Sequence, residues 1–246
     1  MFLRLRPFLY SLIFLLGLEA IILWRSNVAV VIFFLLIFAI YQGKSVGKKW
    51  KFSVLPAFFT LASSALLYLV TIPYEQQTFI ILTVSMYYLS LFGAYRLNKY
   101  SLDQTARAMN MAATVSTIFF TYAAAYGLYL NFFVPLWVLM AVYLVVTLLV
   151  SYQYFSIIKE GEKRIVWVYS FLLALAMVEL IWAMNFWPFG YLTAGTIALI
   201  LYYVIWDLIQ SYFLNLLSQR RVVANMIFFS VVIILVLLSS KWIPVI

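Results

Sequence analysis

Three carboxylates stand where carboxylates are costly. Glu19 lies within LLGLEAIIL, Glu179 within MVELIWAMNFW and Asp207 within YYVIWDLIQ. An ionised carboxylate in an apolar medium neutralises or finds a partner, so each is a candidate for binding or proton exchange. Such groups could pass a proton, hold a cation, or serve as acid and base on a lipid or isoprenoid. The structural alternative is that each simply hydrogen-bonds across helices. Asp207 has a second alternative, since the end of its run is only a turn or so away.

The elements that must position them are apolar runs. The chain has 246 residues, 67% of them hydrophobic and 9% charged; soluble domains carry about 25% charged residues, so this is the composition of an integral membrane protein. A spanning helix needs about 20 mainly apolar residues. Runs bounded by charged or turn residues lie near 7–24, 26–42, 52–72, 77–95, 107–130, 132–154, 166–187, 191–213 and 223–240. The expected fold is an all-α, polytopic transmembrane helical bundle of about nine spans, with eight as the alternative. It forms a single integral membrane domain over 1–246 with no soluble domain. SLDQ at 101–104 has the capping-box form ahead of the fifth run, with Ser101 as N-cap.

Charge sets the threading. With the N-terminus cytoplasmic, bases such as Arg6, Lys44, Lys48, Lys49, Lys51, Arg96, Lys99 and Arg107 fall inside, and only Arg25 and Lys241 of the sixteen fall outside. The short second run is required for this, because without it the cluster from Lys44 to Lys51 would change sides. The formal charge of +9 therefore needs no nucleic acid; anionic lipid at the cytoplasmic face explains it. Membrane lipids are the expected partners, with a protein partner in the membrane as a further expectation.

Depth groups the acids. At a rise of about 1.5 Å per residue, Glu19 and Glu179 each lie roughly 4 to 5 Å outside the midpoint of their runs, and Asp207 roughly 7 Å inside its own. No Lys or Arg occupies the glutamates' depth. Tyr203 lies one turn before Asp207 and Gln210 nearly one turn after. Asn110, Thr114, Thr117 and Thr121 form a polar stripe on the fifth run, spaced four, three and four residues apart. This stripe, with Trp182 and Tyr203, is a candidate lining, although buried hydroxyls serve packing more often than substrate. Aligning Glu19 with Glu179 suggests a weak parallel repeat of the hairpins near 7–42 and 166–213.

Inventory excludes much chemistry. There is no Cys and no His, hence no thiolate, imidazole base, His-ligated haem or ordinary zinc site. No metal site and no cofactor is expected. GKS at 43–45 is not a phosphate loop, since Phe38 occupies the place of the required glycine. The best reading is a carrier or permease for a small solute, cation or lipid that uses its buried carboxyls. The alternatives are a cofactor-free membrane enzyme on a lipid or isoprenoid, and a scaffold or assembly subunit. The expected location is a prokaryotic cytoplasmic membrane, with the chain passing through it many times.

Overall fold

The structure, a computed structural model, describes residues 2–100, 103–159 and 161–240. Among the described residues there are nine α-helices and no strand: α1 (Phe2–Leu23), α2 (Val28–Gly47), α3 (Lys51–Leu69), α4 (Pro73–Lys99), α5 (Gln104–Asn131), α6 (Leu136–Ile158), α7 (Lys163–Met184), α8 (Tyr191–Phe213) and α9 (Gln219–Ser239). Each matches one apolar run. All nine are long and apolar enough to cross a membrane, which suggests a multi-pass membrane protein.

Several boundaries differ from the runs by four or five residues: α1 starts at Phe2 rather than 7, α2 ends at Gly47 rather than 42, α4 and α6 run on to Lys99 and Ile158, and α9 starts at Gln219. Proline explains the shifted starts of α4 and α6. α4 begins at Pro73 rather than near 77, because Pro at the first helical position lacks only an N–H that would be unpaired there. Glu75 in that first turn adds a favourable charge at the positive end of the helix dipole. α6 begins at Leu136 rather than 132. Pro135 is its N-cap, with extended backbone, and the preceding residues form a turn.

The chain forms two compact units, Met1–Thr121 and Tyr122–Ile246. In the first, α1 to α4 pack on one another around an aromatic cluster. Phe14 stacks on Tyr87 at 4.1 Å, and Phe59 meets Phe120 edge-on at 5.5 Å. The buried Tyr87 hydroxyl donates to Gln42 Oε1 at 2.6 Å, tying α4 to α2. Gly43 lets α2 and α3 touch backbone to backbone: a Cβ there would lie 2.7 Å from the Phe52 carbonyl oxygen. The glycine of GKS is thus a packing glycine.

The second unit contains the rest of α5 together with α6 to α9. Tyr122 stacks on Tyr143 at 4.0 Å, and its hydroxyl pairs with Thr147 Oγ1 at 2.6 Å. The Tyr143 hydroxyl donates to the Tyr122 carbonyl at 3.1 Å. Gly195 admits α8 against Ala123 of α5, where a Cβ would come within 2.9 Å. α7 packs on α6 and α8, and α9 packs on α8.

Candidate functional site

The three carboxylates have different surroundings, and Glu19 belongs to the first unit while Glu179 and Asp207 belong to the second. Glu19, half-buried on α1, accepts a hydrogen bond from Gln77 Nε2 of α4 at 3.3 Å. Asp207, buried on α8, accepts one from Asn225 Nδ2 of α9 at 2.7 Å. Glu179 lies on an exposed face of α7, whereas charged residues within apolar spans usually face the bundle. In the α7–α8 hairpin Glu179 is five residues from the end of α7 and Asp207 sixteen from the start of α8. At about 1.5 Å per residue these two acids stand roughly 16 Å apart along the axes. They do not form an acid and base pair.

The polar stripe around Asp207 also divides. Tyr203 packs its ring on Trp206 at 5.6 Å and on Phe229 of α9 at 5.4 Å. Gln210 turns to α6, where Oε1 accepts from the Tyr154 hydroxyl at 3.3 Å. Asn225 had not been singled out in the sequence. Depth could have found it: Asp207 stands six residues before the end of α8 at Phe213, and Asn225 six after the start of α9 at Gln219. Trp182 is 51% exposed and meets Phe186 edge-on at 5.6 Å, so it flanks Glu179 on the outer face rather than lining an interior path.

On α5, Asn110, Thr114, Thr117 and Thr121 are all buried. Thr117 Oγ1 donates to the Ala113 carbonyl and Thr121 Oγ1 to the Thr117 carbonyl, both at 2.7 Å. Those two hydroxyls are satisfied within their own helix, as packing threonines are. Asn110 differs, since neither polar atom of its buried amide has a hydrogen-bond partner among the described residues. The backbone of α5 at Asn110 lies close to α4 at Gly93, where a Cβ would be 3.3 Å from the Asn110 backbone nitrogen. Among the described residues no three carboxylates gather to hold a metal ion.

The bases do converge. The beginning of α1 and the ends of α2 and α4 border an open cavity of about 500 Å³ lined by Arg6, Pro7, Ser45, Val46, Lys48, Tyr95, Asn98 and Lys99. Among the described residues its walls carry three cations, two hydroxyls and an amide, and no acid. Lys48 is placed by the α2 C-cap: its backbone is left-handed at φ 56°, and its N–H donates to the Lys44 carbonyl at 2.9 Å. Lys44 is held away from the cavity, with its ammonium 3.9 Å from the centre of the Trp50 ring. Ser45 Oγ lies 3.5 Å from the Tyr10 hydroxyl.

An adjoining cavity of about 300 Å³ shares Tyr95 and Lys99 and is completed by Phe92, Arg96, Tyr100 and Asp103. Here the charge is already paired: Arg96 bonds Asp103 Oδ2 at 2.7 Å through both Nε and Nη2. Asp103 Oδ1 accepts the Ala106 N–H at 3.1 Å, capping α5. That backbone donor first, and then Arg96, hold the Asp103 carboxyl below the usual carboxylate range. Ser101, the expected cap, lies outside the described residues. The first cavity therefore keeps its positive charge, and its chemistry is that of an anion site.

No curated protein and no solved structure matches the chain. A family model described as a protein of unknown function, DUF5656, matches residues 39–239. That stretch takes in α3 to α9, the Lys48 and Lys99 walls of the basic cavity, Glu179, and the Asp207–Asn225 pair. Since it is well over half of the chain, the protein belongs to the DUF5656 family.

Proposed function

We propose that this is a carrier-type membrane protein for an anionic lipid, whose headgroup is received in the basic cavity of α1, α2 and α4. The observation that carries this reading is the convergence of Arg6, Lys48 and Lys99 on one cavity that no carboxylate lines among the described residues. Its hydroxyl and amide donors suit phosphate oxygens. The charge asymmetry of the loops supports a cytoplasmic N-terminus, and with that threading the cavity opens at the inner leaflet, where anionic lipid is abundant. A carrier for cations built on the acids is less well supported, because Glu179 and Asp207 do not share a site. The enzyme reading is weakened by the same separation.

The test uses the purified protein in nanodiscs of phosphatidylcholine with a minor fraction of phosphatidylglycerol, followed by native mass spectrometry of retained lipid. Each base near a membrane surface is worth about 1 kcal/mol, or roughly fivefold in affinity. Arg6→Gln, Lys48→Gln and Lys99→Gln should each lower phosphatidylglycerol retention by about that factor, and the triple variant should lose the preference. Free inorganic phosphate in excess should compete if headgroup chemistry alone is read. In proteoliposomes the wild type should speed transfer of labelled phosphatidylglycerol between leaflets. A triple variant that retains and moves this lipid as well as wild type would defeat the proposal.

A further inference from the structure

α7 has two faces of different kinds. Val166, Ser170, Leu173, Met177 and Ile181 are buried, on a helix that packs against α6 and α8. On another face Val168, Leu172, Leu175, Glu179, Trp182 and, just past the helix end, Phe186 are all exposed. These positions advance by four, three, four, three and four residues, the 3.5-residue repeat along which two helices pair.

An apolar stripe of that spacing would suit lipid as well as protein. Glu179 would not. It lies in an apolar run, and no hydrogen bond or ion pair to its side chain is found among the described residues. Nor can it readily escape towards the nearer membrane surface. Side chains on a helix lean towards its N-terminus, and α7 begins at the opposite, basic end with Lys163 and Arg164, so the carboxyl leans into the apolar layer. A carboxyl held there needs a polar partner at its own depth on whatever covers the stripe.

A second copy supplies that partner by symmetry. Both copies enter the bilayer in the same direction, so a two-fold axis along the membrane normal sets α7 beside its mate in parallel, with the two Glu179 side chains level. A carboxylic acid is both donor and acceptor, and two of them satisfy each other without a cation. A single polar residue in such a seam also fixes the register, because sliding either helix would leave both groups unpaired.

We infer that the protein forms a parallel two-fold dimer through the exposed seam of α7, with the Glu179 carboxyls hydrogen-bonded across the axis. This is independent of the basic cavity, which belongs to the other unit.

The chain has no cysteine, so single cysteines at each position from Phe171 to Met177 can be oxidised in native membranes without background. Disulfide-linked homodimer should peak at Leu172 and Leu175 and be weak at Leu173 and Ala174. Glu179→Leu should lower the dimer fraction in nanodiscs about tenfold, whereas Glu179→Gln, whose amide is also donor and acceptor, should largely keep it. Unchanged melting of the Glu179→Leu monomer will show that the fold survives. Absence of homodimer, cross-links peaking at other positions, or a product with the mass of a different protein would overturn the inference. Full dimerisation of Glu179→Leu would overturn the carboxyl pair.

Discussion

Replacing Asn225 by alanine removes the donor to Asp207, and the structure bounds what that costs. The bond is short, at 2.7 Å, and Asp207 is only 8% exposed, so water does not readily replace the lost amide. A hydrogen bond to a charged group contributes about 1.5–3 kcal/mol in soluble proteins. Polar pairs between membrane helices average about 0.6 kcal/mol and reach about 1.7, because the unfolded chain in the bilayer finds other partners. Burial and distance favour the upper end of the membrane range, so the expected coupling is about 1.5 kcal/mol, or roughly tenfold in the unfolding equilibrium. Asp207 has further interactions of its own, and Asp207→Ala should therefore cost more than Asn225→Ala. A double-mutant cycle isolates the shared part. Unfolding in mixed micelles, followed by tryptophan fluorescence, supplies the four stabilities. A coupling below about 0.3 kcal/mol would refute the claim that this bond ties α9 to α8.

Two further outcomes follow from the first unit. Gly43→Ala places a methyl 2.7 Å from the backbone oxygen of Phe52, an obstacle that cannot rotate away, and should destabilise the protein by about 1–3 kcal/mol; an unchanged melting temperature in detergent would contradict the close α2–α3 approach. The Asp103 carboxyl is held low by the Ala106 N–H and then by Arg96, so its stabilisation is complete above the unfolded value of about 4 and is lost as pH falls through the lower folded value. Hydrogen exchange in the first turn of α5 should accelerate over that acid range, and Asp103→Asn, which can cap but not titrate, should remove the dependence.

The helices were legible because apolar length is a strong signal; their ends were less so, because helices such as α2 continue past the apolar run into polar residues and because proline sets the starts of α4 and α6. Pro73 opens α4 and Pro135 delays α6. The facing of the acids was not legible in the same way. Both sides of α7 are apolar, so periodicity could not say which side would meet α6 and α8, and Glu179 emerges on the other. Asp207 was visible, but its partner is a lone amide in the following run. The basic cavity draws Arg6, Lys48 and Lys99 from three separate segments. In the sequence they were only a rim of positive charge, and packing made three of them walls of one site.

The boundary between the two compact units falls between Thr121 and Tyr122, inside the unbroken helix α5. The residues on either side serve different cores: Phe120 meets Phe59 and Phe79, and Tyr122 meets Tyr143 and Tyr202. Two cores here do not mean two severable parts. A gene split to express the halves separately would have to cut within a helix to respect the cores, or cut in the turn after Asn131 and leave the second half without Tyr122, the residue on which its tyrosine stack is built. The protein can be divided by packing or by connectivity, but no single cut does both.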